Sequence, residues 1–163
     1  MSIRFDGRVA IVTGAGAGLG RSHALGLAAR GAKVVVNDLG AATDGSGASS
    51  EAARSVVEEI RAKGGHAIAN GANVTNEAQV QTMIDEAIAE FGHVDILVNN
   101  AAIFLLYGVD ATHEHWQKTF EVNLLAGADL VTQSLPELRK SSHPTIVNIA
   151  SISAHRAQAG RWT

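Results

Sequence analysis

The stretch that decides the fold reads Thr13-Gly14-Ala15-Gly16-Ala17-Gly18-Leu19-Gly20. It lies between an aliphatic run at residues 8–13, which predicts a buried strand, and an Ala- and Leu-rich run at 19–30, which predicts a helix. Glycine lets the backbone approach a ligand without a Cβ in the way, and a helix start offers free N–H groups to a pyrophosphate. A plain tight turn is the alternative, but four glycines between positions 14 and 20 exceed what a turn requires.

Short aliphatic runs alternate with helical patterns along the rest of the chain. Strands are predicted at 8–13, 33–37, 66–70, 94–98 and 145–149, and helices at 19–30, 53–60, 80–91 and about 113 to 139. Such alternation builds a parallel sheet that is covered on both faces. The predicted fold class is α/β, a Rossmann-type doubly wound parallel sheet in three α/β/α layers, as a single domain over 1–163. The Gly-, Ala- and Ser-rich stretch 40–50 is predicted to be a loop.

The composition excludes several classes of function. The 163 residues carry a net charge of −3 with no long basic run, which argues against a nucleic-acid partner. Cysteine is absent, so disulfides, thiolate metal sites and cysteine nucleophiles are excluded. No apolar run reaches the roughly 20 residues that cross a bilayer, and the first residues lack a signal-peptide pattern. We therefore expect a cytoplasmic protein without a membrane partner.

Asp38 ends the second predicted strand. A carboxylate at that place can accept hydrogen bonds from both ribose hydroxyls of an adenosine, and it would repel a 2′-phosphate. No Arg or Lys lies at 15–19 or 39–42 to offset that repulsion. The pattern favours NAD over NADP as the cofactor, and a solvated strand-end carboxylate is the alternative.

Four motifs in order resemble those of the short-chain dehydrogenase/reductase family, in its classical branch. They are the loop at 13–20, Asn99-Asn100-Ala101-Ala102, Glu121-Val122-Asn123 and Ile146-Val147-Asn148-Ile149-Ala150-Ser151. The resemblance covers nearly the whole chain. It implies an NAD-dependent oxidoreductase that transfers hydride between nicotinamide and a secondary alcohol or ketone. Within the family, the loop together with residues 34–40 is similar to (3R)-hydroxyacyl-CoA dehydrogenase-type members.

The resemblance also implies which residues bind the cofactor. The pyrophosphate site would be shaped by Gly14, Gly18, Leu19 and Gly20, the adenosine ribose held by Asp38, the adenine met by Asn73 and Val74, and the cofactor ribose flanked by Asn100 and Ala101. Asn99 would brace the sheet. Asn73 stands where the family usually has Asp, and we expect the adenine contact to persist in altered form. Ala102 replaces the family's Gly, at a cost of about 1 kcal/mol if the position needs a positive φ.

Ser151 and Asn123 are the residues that the resemblance implies for catalysis. The family's Ser hydrogen-bonds the substrate oxygen and steadies a Tyr that moves the proton, and Ser153 is a nearby competitor. Asn123 falls on the apolar stripe predicted for the long helix, where an unsatisfied amide costs a few kcal/mol. It is either tied to a backbone carbonyl or, as the resemblance implies, holds a water at a local helix distortion. The stripe consists of Trp116, Phe120, Leu124, Gly127, Val131, Leu135 and Leu138.

The chain departs from the family where a Tyr-x-x-x-Lys segment is expected to follow Ser151. The single tyrosine, Tyr107, follows the fourth strand instead. By the resemblance, the helix with the Tyr and Lys, the last strands and the substrate lid lie outside 1–163. We interpret the sequence as part of a longer chain, with a natural truncation as the alternative, and expect residues 1–163 alone to lack dehydrogenase activity.

Other patterns carry less information. No metal site is predicted, because His113 and His115 would point to opposite sides of a helix. The apolar run 103–106 with Tyr107 either lines a pocket for a lipophilic substrate or packs on the sheet as a surface loop. The resemblance implies a homo-oligomer, a dimer or tetramer, that acts on a small molecule. The alternative function is a catalytically incompetent nucleotide-binding or regulatory module, and phosphoryl transfer is disfavoured because no Gly-Lys-Ser/Thr follows the loop.

Overall fold

Five strands build the centre of the molecule in a computed structural model, which describes residues 3–40, 51–105 and 107–152. The strands are β1 (Val9–Val12), β2 (Lys33–Asn37), β3 (His66–Asn70), β4 (Ile96–Asn99) and β5 (Thr145–Asn148). They form one sheet in the order β3-β2-β1-β4-β5, and every pair is parallel. The predicted sheet is confirmed, and β3 pairs with β2 along its full length.

The helices connect successive strands across the faces of the sheet. They are α1 (Gly18–Ala28), α2 (Glu51–Ala62), α3 (Glu77–Phe91), α4 (His113–Phe120) and α5 (Ala126–Leu138), with a 3₁₀ turn at Gly108–Asp110 and a π-helical turn at Glu121–Leu125. The winding changes sides at β1, which pairs with β2 on one side and β4 on the other. In an open parallel sheet, ligands bind at the carboxyl ends of the strands beside such a switch.

Two apolar clusters, one on each face of the sheet, hold the layers together. On one face, Ala10 and Val12 of β1 pack with α1 and α2, and on the other, Ile11 packs with α3 and α5. Side chains of a strand alternate between faces, so burial of all four β1 residues requires helices on both sides. The three-layer α/β/α architecture is therefore confirmed.

The amino end of α3 carries a side-chain cap. The Asn76 side chain accepts a hydrogen bond from the Gln79 N–H and so satisfies a free donor of the first helical turn. The Gln79 side chain does not return the bond to Asn76, because its Oε1 accepts from the Asn73 N–H at 2.8 Å. The cap thereby ties α3 to the segment that leaves β3.

The predicted long helix is interrupted, and most of its buried stripe was predicted wrongly, although Leu138 is buried as expected. The π-helical turn adds one residue to a turn and rotates the helix that follows. The residues that α5 buries are Ala126, Leu130, Ser134 and Leu138, one position before most of the predicted set. Before the turn, Trp116 and Phe120 are exposed, and within it Leu124 is 57% exposed. The sequence pattern assumed an uninterrupted helical period and therefore missed this shift.

Some predicted features lie outside the described residues. These are most of the loop predicted at 40–50, Leu106 of the apolar run, and Ser153. In the ranges that the structure does describe, no helix has the length and apolarity needed to span a bilayer.

Asp95 joins three segments at the amino ends of the strands. Its backbone N–H donates to the Val9 carbonyl at 2.9 Å, and its carboxylate accepts from the Val9 N–H at 2.8 Å and from the Ser141 hydroxyl at 2.6 Å. His93 Nε2 lies 3.0 Å from the same carboxylate. Since Asp95 is only 7% exposed, these donors replace the water that the carboxylate loses on folding.

We expect Asp95→Ala to lower the free energy of unfolding by about 2 kcal/mol or more, because the buried Val9 N–H loses its acceptor. The matched control is Asp85→Ala on the exposed side of α3, which should change stability by about 0.5 kcal/mol or less. Urea denaturation followed by circular dichroism measures both. Equal stability of the two variants would contradict this role of Asp95.

Candidate functional site

The glycine loop leaves β1 and enters α1 with backbone geometry that side chains would block. Gly14 and Gly18 have φ of 60° and 53°, a region that L-residues rarely adopt. A Cβ at Gly20 would lie 2.1 Å from the Gly14 carbonyl oxygen, so α1 packs directly on the loop. A Cβ at Gly18 would meet no described atom within 4 Å, and the space beyond that backbone is open.

Thr13 and Asn100 join the loop to the end of β4. The Thr13 hydroxyl accepts hydrogen bonds from the backbone N–H groups of Asn100 and Ala101, both at 3.0 Å. The Asn100 side chain donates in return to the carbonyls of Thr13 at 2.9 Å and Gly14 at 3.1 Å. Thr13 is fully buried. Sequence reasoning gave Thr13 no role, although its place as the first polar residue after a buried strand was a usable signal.

Asp38 turns its carboxylate toward the glycine loop from the end of β2. Its Oδ2 accepts from the Gly16 N–H at 2.7 Å, and its Oδ1 accepts from the Gly40 N–H at 2.7 Å. The Asp38 N–H donates to the Asn70 carbonyl at 3.0 Å, which anchors its backbone to β3. The structure thus brings together the loop and the acid that the sequence singled out separately.

Asn73 and Val74 lie past the end of β3, which is separated from β4 by β2 and β1. The Asn73 Oδ1 accepts from both the N–H and the hydroxyl of Thr75, at 3.0 and 2.9 Å, so the side chain closes a local turn. Val74 packs partly against the second apolar cluster. Both residues therefore occupy the carboxyl edge of the sheet on the same side of β1 as Asp38.

Asn99 connects β4 to β5 and to α5. Its Nδ2 donates to Asn148 Oδ1 at 2.8 Å and to the Gly127 carbonyl at 3.3 Å, which agrees with a bracing position. Its Oδ1 is buried and has no hydrogen-bond partner among the described residues. Ala102, in the same motif, carries no backbone strain, because within the described ranges only glycines have positive φ. The Gly-to-Ala difference from the family is therefore minor.

Asn123 lies in the π-helical turn and holds the segment after β4. Its Oδ1 accepts from the Ile103 N–H at 2.8 Å, and its Nδ2 donates to the Ile103 carbonyl at 2.9 Å. Both features considered from the sequence, a tie to the backbone and a distorted helix, are present. A π turn of this kind often marks a functional position.

Ser151 follows β5, at the same carboxyl edge of the sheet as Asn99 and Asn100. The ladder continues past the strand through a bond from the Ile149 N–H to the Asn99 carbonyl at 2.8 Å. Ser151 is exposed, and the apolar side chains of β5 beside it are also exposed. The structure therefore places Ser151 at an open edge, two strands from β1.

The apolar segment after β4 is divided between core and surface. Ile103 and Leu105 are buried, whereas Phe104 is 60% exposed. Tyr107 is also exposed and stacks on the His115 ring, with centroids 3.7 Å apart and planes within 4°. His115 completes a capping box with Thr112 at the start of α4. The segment therefore alternates between buried and exposed side chains, and a pocket for a lipophilic substrate stays a prediction.

A polar cleft at the opposite end of the sheet is separate from this arrangement. Its volume is about 460 Å³, and its lining includes Arg4, Asp6, His93 and His143. It borders Asp95 at the amino ends of the strands, away from the glycine loop. No group of three potential metal ligands occurs in the described part of the chain. The carboxyl edge remains the candidate site because the glycine loop, Asp38 and the Asn99-Asn100 pair converge there.

Comparison with known proteins identifies related sequences. A family model described as short chain dehydrogenase matches residues 8–162. The chain is 47% identical over 152 residues to the peroxisomal multifunctional enzyme type 2 of Drosophila melanogaster, covering 93% of this chain and 25% of that protein. It is 37% identical over 153 residues to the 7alpha-hydroxysteroid dehydrogenase of Escherichia coli K12, covering 94% of this chain and 56% of that protein. The chain thus spans a quarter of the first relative and little more than half of the second.

Solved structures share the fold across nearly the whole chain. A 7α-hydroxysteroid dehydrogenase complexed with NADH and 7-oxo glycochenodeoxycholic acid matches with a TM-score of 0.86 and 35% identity, over 96% of this chain and 58% of that chain. A short chain dehydrogenase from Mycobacterium avium matches with a TM-score of 0.83 and 40% identity, over 96% and 56%. These matches confirm the Rossmann-type architecture.

Thr13→Val keeps the shape of the side chain but removes the acceptor of two backbone N–H groups. We expect the free energy of unfolding to fall by about 2 kcal/mol or more, since both donors lie in a partly buried joint. Thr82→Val is the matched control, because the Thr82 hydroxyl only donates to the Ala78 carbonyl on exposed α3. Chemical denaturation of both variants gives the comparison, and a Thr13 variant as stable as the control would refute this role.

Proposed function

This chain belongs to the short-chain dehydrogenase family, and we propose that it forms the NAD-binding part of an oxidoreductase. The complete protein would transfer hydride between nicotinamide and a secondary alcohol or ketone. The observation that carries this proposal is the approach of the Asp38 carboxylate to the Gly16 N–H at 2.7 Å. This contact places an acid that can bind a ribose diol next to a glycine loop that can bind a pyrophosphate.

The residues at the carboxyl edge fit a dinucleotide. Gly18 and the start of α1 offer open backbone for phosphate oxygens, because a Cβ at Gly18 would meet no described atom within 4 Å. Leu19, Asn100 and Ala101 continue the surface, and Asn73 with Val74 would border the adenine. Each Asp38 oxygen accepts one protein N–H and keeps capacity for a ribose hydroxyl. A 2′-phosphate would meet this negative charge, which favours NAD over NADP.

The chemistry would take place where β4 and β5 end. The nicotinamide, when bound, supplies or accepts the hydride. The Ser151 hydroxyl would hydrogen-bond the substrate oxygen and keep it oriented for proton transfer. Asn123 would fix the segment after β4 through its paired bonds to Ile103, and could hold a water at the π turn. Asn99 would keep β4 and β5 in register beneath both groups.

A lipophilic substrate is the class that we favour. Phe104 and Tyr107 expose apolar surface at the carboxyl edge, where a substrate would meet the nicotinamide. One relative is named a 7alpha-hydroxysteroid dehydrogenase and another a peroxisomal multifunctional enzyme. These names describe those proteins and do not identify a substrate of this chain. For this chain, the proposal extends to an apolar secondary alcohol or its ketone and no further.

The extent of the working protein is also a proposal. Residues 1–163 would be one NAD-binding domain that lacks the Tyr and Lys helix, the last strands and the lid. A homo-oligomer, dimer or tetramer, is supported by exposed apolar side chains on α4 and the π turn, among them Phe120, Leu124 and Leu125. We favour a cytoplasmic location, and cell fractionation would separate it from the peroxisome named for several relatives.

Calorimetry on the 163-residue chain tests the cofactor directly. We expect NADH to bind more tightly than NADPH, and Asp38→Ala to weaken NADH binding about tenfold or more, because a charged acceptor for two hydroxyls is lost. Asp85→Ala on exposed α3 should leave the affinity unchanged. Absence of NADH binding, or equal affinity of wild type and the Asp38 variant, would contradict the proposal.

Because the proposed cofactor site lies within residues 1–163 and the proposed Tyr and Lys do not, the 163-residue chain should bind NADH without turning over a ketone. In the longer protein that includes a Tyr-x-x-x-Lys segment, Ser151→Ala should lower kcat about 100-fold while NADH affinity stays unchanged, since Ser151 would contact substrate only. Oxidation of NADH at 340 nm measures turnover. If a 163-residue chain of confirmed mass turns over a ketone, the proposed catalytic site is wrong. If the longer protein binds NADH but never turns over a substrate, the alternative of a regulatory module is supported.

A further inference from the structure

We propose that Gly16 is a specificity-determining position, which holds the Asp38 carboxylate in the orientation that accepts a ribose diol. This inference rests on the proposed NAD-binding function and deepens it. The Gly16 N–H donates to Asp38 Oδ2 and the Gly40 N–H donates to Oδ1, both at 2.7 Å. One donor on each oxygen fixes the plane of the carboxylate before any ligand arrives.

The backbone of Asp38 and its neighbours is held by hydrogen bonds, so a shift of the main chain cannot easily move the carboxylate. The Asp38 N–H bonds to the Asn70 carbonyl, and the buried Asn37 side chain donates to Asn70 Oδ1 and to the Ala72 carbonyl, both at 2.9 Å. On the opposite side, the Ala15 N–H donates to the Asn37 carbonyl at 2.9 Å. The loop and the end of β2 therefore form one rigid unit.

The space at Gly16 admits no side chain while this arrangement persists. A Cβ there would lie 2.8 Å from Asp38 Oδ2 and 2.7 Å from the Ala52 Cβ of α2. Gly16 does not have a positive φ, so alanine would meet no backbone strain at this position. The requirement for glycine comes from the carboxylate and from Ala52, which makes the two contributions separable by mutation.

The carboxylate has about four lone-pair directions. Two are taken by the amides of Gly16 and Gly40, which leaves two for the 2′- and 3′-hydroxyls of a ribose. Preorganisation of this kind increases affinity because the ordering cost is met during folding. A side chain at position 16 would rotate the carboxylate away, weaken the diol contact, and reduce the repulsion that excludes a 2′-phosphate.

The test is a double-mutant cycle, with dissociation constants for NADH and NADPH measured by calorimetry. Gly16→Ala should weaken NADH binding about tenfold or more and narrow the preference over NADPH, as expected for loss of hydrogen bonds to a charged group. In an Asp38→Ala background, the same change should cost less than about twofold, because its target is already gone. Gly26→Ala, where the Cβ would meet only the Arg30 side-chain end at 3.4 Å, is the control and should bind normally.

Ala52→Gly removes the clash between a Cβ at position 16 and the Ala52 Cβ, and leaves the clash with the Asp38 carboxylate in place. The double variant Gly16→Ala/Ala52→Gly should bind NADH as weakly as Gly16→Ala alone. Full recovery in that double variant, an equal loss in the Asp38→Ala background, or wild-type NADH affinity in Gly16→Ala would each overturn the inference. Failure of the proposed function looks different, because the wild-type chain itself would then bind no NADH.

A measurement that needs no substitution at position 16 protects the test against a variant that fails to fold. In the amide NMR spectrum, the Gly16 N–H proton should resonate downfield in the wild type, as expected for a short bond to a carboxylate. It should move upfield in Asp38→Ala, while the Gly26 amide stays in place. An unchanged Gly16 resonance would overturn the inference.

Discussion

The rest of the structure depends on the hydrogen-bonded joint between the ends of β1 and β4. The Thr13 hydroxyl accepts hydrogen bonds from the backbone N–H groups of Asn100 and Ala101. The Asn100 side chain donates to the carbonyls of Thr13 and Gly14. Gly20 packs so closely on the Gly14 carbonyl that a Cβ at position 20 would overlap the carbonyl oxygen. Because of this joint, the start of α1, the glycine loop and the segment after β4 have fixed relative positions.

The same loop is fastened on its other side to β2. The Ala15 N–H bonds to the Asn37 carbonyl, and the Gly16 N–H bonds to the Asp38 carboxylate. The loop is therefore held from both neighbours of β1, which is the strand where the winding reverses. A crevice at this switch follows from topology, but its chemistry follows from backbone amides that point at one acid. In contrast, the apolar β5 side chains and Ser151 are exposed.

Most of the sheet could be predicted from the sequence, because continuous aliphatic runs between glycine and helical segments have few other structures open to them. The parallel direction of the strands followed from the alternation of strands and helices along the chain, and Asp38 followed from its place at the end of β2. The buried face of α5 could not be predicted, since the π turn at Glu121–Leu125 breaks the helical period on which the prediction depended. The hydrogen bond from the Asn73 N–H to Gln79 Oε1 was also missed, because the two groups meet only in the folded chain. Thr13 was missed for a similar reason, as both of its donors are distant in sequence.

An NMR titration of the 163-residue chain with NADH tests the central claim most directly. If a dinucleotide lies over the loop, the backbone amides of 14–20, 38–40 and 100–101 should shift most, and the amides around His93 and His143 at the opposite end of the sheet should not. Shifts confined to that opposite cleft, or no shifts at saturating NADH, would contradict the account.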